Sequence, residues 1–307
     1  MKSWLRLAIA VVVLVVVIGF LYWPQKAKPA AAARALVTVT SDQVQRVAIQ
    51  QPGQPEVEAT RSGSDWKLDQ PYAFAADPAS MASLINSLGN ITDAQPVGDA
   101  SSNLAGFGLD KPATVELGLS DGKTHTFAFG SSTPTGGNVY LRVDNGPIEM
   151  APSYVKDNAL KAGFDLQDKS ILHFPSGQVT ALDITTGGKT AHLLKTGNDW
   201  PKAQSDSITS LLDALNDGQM TSMADVTGKD AAKDGLASPT AVVTVNWAGG
   251  SAKLEVGAKK GAAEYYARNS ATPAIFTFSD YLMDDITAVT TPKPPMKVTG
   301  ASPKGQK

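Results

Sequence analysis

Two short motifs place serine and lysine residues where acyl-transfer chemistry would use them. Ser153-Tyr154-Val155-Lys156 has the S-x-x-K pattern, and Lys195-Thr196-Gly197 the K-T-G pattern, of serine enzymes that react with penicillin. Those enzymes hold a helical domain between the two motifs, and the segment between them here is too short for one. It also lacks an S-x-N element. An envelope hydrolase that uses Ser153, Lys156 or a histidine with acids is therefore kept as the less favoured alternative.

The sequence offers few residues for metal or nucleophilic chemistry. It has no cysteine and three histidines, His125, His173 and His192, which do not follow a metal-ligand spacing such as H-x-x-x-H. No G-x-S-x-G motif supports a Ser-His-Asp triad. We therefore predict that the chain is not an enzyme, with no catalytic residue, no cofactor and no metal site.

An internal repeat separates the residues of the scaffold from candidates for function. Arg61-Ser62-Gly63-Ser64-Asp65-Trp66 returns as Lys195-Thr196-Gly197-Asn198-Asp199-Trp200, and Gly108-Leu109-Asp110-Lys111-Pro112 returns as Gly235-Leu236-Ala237-Ser238-Pro239. Residues present in both copies are most simply explained by the shared fold. The K-T-G string then marks the end of a strand, as Arg61-Ser62-Gly63 does.

One repeated pair combines an aromatic and a cationic side chain. Alternation along a strand puts Tyr140 and Arg142 on one face, and Tyr266 and Arg268 likewise, where each arginine could stack on the ring or pair with a carboxylate. These four residues are our candidate contacts to a ligand or partner. The alternative is that they fix the sheet, as Trp66 and Trp200 are expected to anchor the cores.

The amino-terminal segment predicts a membrane anchor. Leu7 to Trp23 is an uncharged run of 17 residues. Leu5 and Arg6 would complete a span over residues 5–23. Lys2 and Arg6 favour a cytoplasmic amino terminus, so the bulk of the chain would be periplasmic or extracellular, held by a single pass in the cytoplasmic membrane. A cleaved signal peptide, with the Ala30–Ala33 run at its end, is the alternative.

The pattern of apolar residues predicts an α+β fold with two tandem repeats, each a mainly antiparallel sheet with one long and one short helix. Asp77 and Pro78 begin a helix whose apolar positions recur in the second copy, and the first copy has about seven more residues before that helix, around Gln70 to Phe74. The expected organisation is a cytoplasmic stub, anchor and linker over 1–35, repeat 1 over 36–168, repeat 2 over 169–290 and a disordered Pro/Lys tail over 291–307.

The charge of the chain argues against nucleic-acid binding. The formal net charge is −2, the isoelectric point is near 5.9, and lysine and arginine are scattered along the chain. We predict no nucleic-acid partner.

Three segments carry a resemblance to a known family. GFGLDKPATVELGLSDG at residues 106–122, FGSSTPTGGNVYLRV at 129–143 and the shorter YYARN at 265–269 resemble the bacterial family of domain of unknown function 4340. The resemblance covers most of the exported part and brings no catalytic motif. It implies a membrane-tethered extracytoplasmic protein associated with ABC-type export systems of the gliding-motility type. The second copy departs from it at Ala237-Ser238, in place of Asp110-Lys111.

We therefore expect a non-catalytic accessory or scaffold protein whose partners are subunits of an ABC-type envelope transport system. The alternative is a module that binds cell-wall glycan or lipid in a groove between the two repeats.

Overall fold

The computed structural model describes residues 35–99 and 103–291. The predicted membrane span over residues 5–23 and most of the predicted tail lie outside these ranges. None of the helices within them combines the length and the apolar content that a membrane span requires.

Within the described residues, sixteen strands form two separate antiparallel sheets, so the α+β prediction is confirmed. The first sheet has the order β4-β3-β2-β1-β6-β7-β8-β9-β5. Its strands are β1 (Val44–Gln50), β2 (Val57–Ser62), β3 (Asp65–Gln70), β4 (Phe74–Ala75), β5 (Gln95–Gly98), β6 (Ala113–Leu119), β7 (Thr124–Ser132), β8 (Asn138–Val143) and β9 (Ile148–Pro152).

The second sheet has the order β11-β10-β13-β14-β15-β16-β12. Its strands are β10 (Val179–Thr186), β11 (Lys189–Leu194), β12 (Met220–Asp225), β13 (Ala241–Trp247), β14 (Gly250–Lys260), β15 (Glu264–Asn269) and β16 (Ile275–Ser279). This is the order of the first sheet without the equivalents of β3 and β4. The repeat seen in the sequence is therefore a repeat of topology as well.

Helices cover one face of each sheet. They are α1 (Pro78–Gly89), α2 (Ser153–Ala159), α3 (Gly163–Leu166), α4 (Ser205–Asp217) and α5 (Tyr281–Thr290), with short 3₁₀ turns at Ser41–Gln43, Leu104–Phe107 and Ser176–Gln178. The Asp77 carboxylate caps α1 by accepting a hydrogen bond of 2.8 Å from Ser80 N, as the cap-and-proline pattern predicts.

The apolar stripe of each long helix lies in a core. The stripe of α1 and the stripe of α4 are buried, and each residue of this kind contributes about 1.5–3 kcal/mol when it is fully buried. The residues are Met81, Leu84, Ile85 and Leu88 in α1, and Ile208, Leu211, Leu212 and Leu215 in α4. The two tryptophans, Trp66 and Trp200, belong to the same two cores.

The repeated glycine motif connects a loop to the sheet. Gly108 and Gly235 have φ values of +66° and +79°, which glycine adopts without strain. A further glycine of the second copy, Gly257, is equivalent to Gly130 of the first copy. It lies against the backbone carbonyl of Asp234, and Ala258 N donates to that carbonyl at 2.8 Å. The motif is therefore explained by close backbone contacts.

Candidate functional site

A pocket lies where the two repeats meet. It has a volume of about 270 Å³ and is open to solvent at one side. Its lining comes from the first repeat, from residues 167–175 between α3 and the next 3₁₀ turn (the connecting segment), and from the second repeat, and is mostly apolar. The lining residues are Ala73, Phe74, Ala75, Asp168, Ser170, His173, Met220, Asn269, Ala271, Thr272 and Pro273.

The wall from the first repeat is the segment that the second repeat lacks. After β3 the chain turns at Pro71 and returns as β4, with Leu68 opposite Phe74 and Lys67 opposite Ala75. Phe74 packs against both hydrophobic cores. The additional residues of the first copy therefore form this wall of the pocket.

Gln167 holds the connecting segment against both repeats. Its side chain is almost fully buried, at 1% exposure. Its Oε1 accepts a hydrogen bond of 2.8 Å from the Tyr72 hydroxyl, and its Nε2 contacts Met220 Sδ at 3.6 Å. Burial raises the pKa of the Tyr72 phenol, so the hydroxyl stays protonated and donates to Gln167.

The polar rim of the pocket is built on Asp168. Asp168 Oδ2 lies 2.8 Å from His173 Nε2, and Oδ1 accepts from Ser170 N at 2.9 Å. Burial disfavours the charged carboxylate, but the hydrogen bonds from Ser170 and the electrostatic interaction with His173 outweigh it and lower the pKa of Asp168. The rim therefore carries a carboxylate at neutral pH.

This rim does not have the arrangement of a catalytic triad. In a triad the serine hydroxyl binds the histidine and the histidine binds the acid. Here the Asp168 carboxylate is bound by the His173 ring and by the backbone N–H of Ser170. His173 Nε2 is therefore bonded to Asp168 and not to the Ser170 hydroxyl, so the histidine is not placed to activate Ser170 as a nucleophile.

The other residues selected for chemistry lie apart from one another and from the pocket. Lys156 Nζ donates to Gly130 O at 2.9 Å, and Lys195 Nζ lies 5.2 Å from the centre of the Trp200 ring. His125 pairs with Asp144 at 2.6 Å and His192 with Asp183 at 2.7 Å. Within residues 35–99 and 103–291, no group of three or more histidine, aspartate or glutamate residues could hold a metal.

The predicted contact residues Tyr140 and Arg142 lie on β8, outside the pocket lining. The Tyr140 ring meets Phe107 edge to face, with centres 4.9 Å apart. Arg142 donates to the carbonyls of Gly146 and Asn145 at 3.0 Å and 2.8 Å, which closes the hairpin between β8 and β9. Their described contacts are within the first repeat.

The second pair, Tyr266 and Arg268, lies on β15 and is also outside the pocket lining. Arg268 binds Glu255 through Nε at 2.9 Å and through Nη2, and Lys253 binds the same carboxylate at 2.6 Å. Burial raises the pKa of Glu255, and the bonds from Lys253 and Arg268 outweigh it, so the net effect lowers this pKa. Lys260, not Arg268, lies over the Tyr266 ring, at 5.9 Å. Of the two arrangements considered, stacking on the ring or pairing with a carboxylate, the second copy has the arginine–carboxylate pair.

The substitution Asp168→Asn should destabilise the protein, and the size of this effect should depend on pH. Because the folded-state pKa of Asp168 is lowered, its contribution is present above the unfolded value of about 3.9 and is lost as the pH falls through the folded value. We expect Asp168→Asn to lower the free energy of unfolding by about 1 kcal/mol at pH 6. Urea unfolding between pH 3 and 7 measures the difference, which should shrink below pH 4.

The exposed residue Asp213 on α4 provides the control for this pH series. Asp213→Asn should leave the stability nearly constant over the same pH range. A cost of Asp168→Asn that stays equal at pH 3 and pH 6 would show that the carboxylate charge is not what stabilises the rim.

The sequence model of one family, described as "Domain of unknown function (DUF4340)", matches the chain in two regions, residues 66–205 and 194–292. No curated protein and no solved structure matches it. The two matches cover most of the chain and correspond to its two copies, so the resemblance seen in the sequence is confirmed. The chain belongs to the DUF4340 family.

Proposed function

We propose that this DUF4340 protein is a non-catalytic accessory protein of the bacterial envelope. In this proposal it is tethered to the cytoplasmic membrane through residues 5–23, and its two repeats lie on the outer side. It acts by binding other envelope components, first of all the subunits of an ABC-type transport system.

The observation that carries the proposal is the use of reactive side chains by the fold itself. Lys156 binds a backbone carbonyl, and each of the three histidines pairs with an aspartate. An aspartate partner does not by itself exclude catalysis, since the histidine of a Ser-His-Asp triad has one, but among the described residues no serine hydroxyl is bonded to any of these histidines. What the two repeats share is a sheet and a hydrophobic core each, as expected of a scaffold protein.

Affinity capture after mild crosslinking tests the transporter partnership. The bait is the full-length protein in its own membranes, and the control lacks residues 1–35. We expect transporter subunits with the full-length bait and a much lower yield with the control, because tethering raises the local concentration of the protein at the membrane. Capture of no membrane protein by the full-length bait would refute the accessory role.

The pocket between the repeats supports a second candidate, a binding module of the envelope. Its lining is mostly apolar, and Phe74 is the one Phe, Tyr or Trp residue in it. This favours part of a lipid acyl chain over a glycan, since sugars stack on exposed aromatic rings and both Trp66 and Trp200 are buried.

A variant that fills the pocket tests this candidate. Ala73→Trp places a large side chain in the pocket wall, whereas Tyr281→Ala changes a residue that is 78% exposed and lies outside the lining. If the pocket binds lipid, Ala73→Trp should abolish binding of a fluorescent fatty acid and Tyr281→Ala should not. Equal binding by both variants would exclude the pocket as the lipid site.

A further inference from the structure

The second sheet ends in a strand with an open edge. β11 pairs with β10 over six consecutive residues, Lys189 to Leu194, without a bulge. On its other side no strand is paired within the part of the chain that the structure describes. Proteins usually shield such edges with a bulge, a proline or an inward-pointing charge, because an edge can pair with another chain.

The first repeat shows what occupies the same edge there. Its strand β2 is equivalent to β11, and it is covered by β3, with Thr60 opposite Lys67 and Ala59 opposite Leu68. In the second repeat the hairpin starts in the same way, since Thr196 N donates to Asp199 O at 2.9 Å and Asp199 N to Thr196 O at 3.3 Å. It then stops.

Pro201 explains why the hairpin stops. Counted from the paired tryptophans, Pro201 stands where the first repeat has Lys67, and Leu194 stands where it has Thr60. Proline has no N–H to donate, so the ladder cannot continue at this pair. The chain turns away through Lys202 and Ala203, which are exposed, and enters α4.

The hydrogen-bonding pattern fixes which backbone groups face outward. Lys195 N donates to Thr180 O at 2.9 Å, so alternation pairs Leu193 and Ala191 with β10. The N–H and C=O groups of Thr190, His192 and Leu194 therefore point away from β10. No hydrogen bond from these backbone groups to another described residue is found.

Side chains at the edge define the chemistry of an occupant. Leu194 is 65% exposed and lies at the end of β11, on the same face of the strand as the exposed His192. Lys189 is the first residue of β11 and Lys195 directly follows its last residue, while the Asp183 carboxylate is already paired with His192. The strand that fills this place in the first repeat, Asp65–Gln70, is extended, has two buried apolar residues in alternation and has an aspartate near each end.

We propose that β11 is a docking edge for an extended segment of a partner protein, which adds to the sheet as an antiparallel strand. The segment has alternating apolar residues, no proline among them, and acidic residues near its ends. This mode of recognition derives affinity from backbone hydrogen bonds and specificity from alternate side chains. The inference does not depend on the transporter partnership, because it rests only on the difference between the two repeats.

Residue-resolved amide exchange by NMR on the full-length protein in detergent tests the proposal. The probe is a synthetic peptide with the sequence of residues 63–72. In the free protein the amides of Thr190, His192 and Leu194 should exchange rapidly, and those of Ala191 and Leu193 slowly. Saturating peptide should slow the first three at least tenfold. Slow exchange of these three without peptide, or no slowing with it, would overturn the proposal.

Two variants at one position separate edge pairing from side-chain effects. Both His192→Pro and His192→Ala remove the imidazole. His192→Pro also removes the outward backbone N–H, whereas His192→Ala keeps that N–H. We expect His192→Ala to bind the peptide as the wild type does and His192→Pro to bind about tenfold more weakly. Equal binding by the two variants would contradict the proposed edge.

A second copy of the chain is the competing occupant. If protection of the three amides rises with protein concentration in the absence of peptide, and sedimentation shows a dimer, then the edge is a self-association surface and the proposal of a partner segment is wrong. The exchange measurement on the wild type gives this result even if His192→Pro does not fold.

Discussion

Gly235→Ala should lower the free energy of unfolding by about 2–5 kcal/mol, the sum of backbone strain and of overpacking in a tight contact. The φ of Gly235 is +79°, a conformation that alanine adopts only with strain. A Cβ at this position would lie 2.5 Å from Ala258 N and 2.9 Å from Ala258 Cβ. Because these are backbone and Cβ atoms of a strand, neither can move aside without disturbing the sheet. Urea unfolding followed by circular dichroism gives the value.

Gly122 offers a matched control, since its φ is +83° but no atom lies within 4 Å of its added Cβ. Gly122→Ala should therefore cost only the backbone strain, about 1 kcal/mol. The difference between the two variants measures the close approach of loop and strand. Equal costs would mean that the repeated Gly-Leu-x-x-Pro motif is kept for its turn alone, and not for this contact.

Patterns of local sequence predicted the elements that are strongly amphipathic. The helix that begins after Asp77 and ends at Gly89 follows from a cap, a proline and a regular apolar stripe, all of which act within a few residues. The antiparallel sheets follow from alternation of apolar and polar residues, as along β2 (Val57–Ser62). The order of strands in each sheet could not be derived, because it depends on contacts between distant segments that local patterns do not encode.

The connecting segment was the least predictable part of the site. Gln167 and Asp168 lie where the chain has neither helical nor strand periodicity. Neither has a counterpart in the second copy, so comparison of the copies gave no signal there. The one usable signal was the extra length of the first copy around Gln70 to Phe74, which forms one wall of the pocket. Side chains that meet only in the folded protein, such as Tyr72 and Gln167, leave no spacing pattern.

A difference in length between the repeats, together with Pro201 in the second repeat, accounts for both candidate surfaces. In the first repeat the additional residues complete β3 and add β4, which widens the sheet and places Phe74 between the two cores. In the second repeat their absence, together with Pro201, leaves β11 at the edge. Duplication followed by a local change of length has thus given the copies different surfaces on one scaffold.

Gln167→Ala should lower the free energy of unfolding by about 2–4 kcal/mol, because it removes the acceptor of the half-buried Tyr72 hydroxyl and opens a cavity at the buried amide. The amide accepts from the Tyr72 hydroxyl and contacts Met220, and it is 1% exposed. Gln178, which is exposed at the end of a 3₁₀ turn, is the control. Gln178→Ala should change stability by less than about 0.5 kcal/mol. Thermal and urea unfolding of both variants measure the effect.

A double-mutant cycle with Tyr72→Phe shows whether the hydrogen bond carries this cost. If it does, Tyr72→Phe and Gln167→Ala together should cost about 1 kcal/mol less than the sum of the single changes, since the second change removes a bond that the first has already broken. Strict additivity would assign the whole cost to packing around Met220. In that case Gln167 would join the repeats by its shape, and its amide could be replaced by an apolar side chain of similar size at little cost.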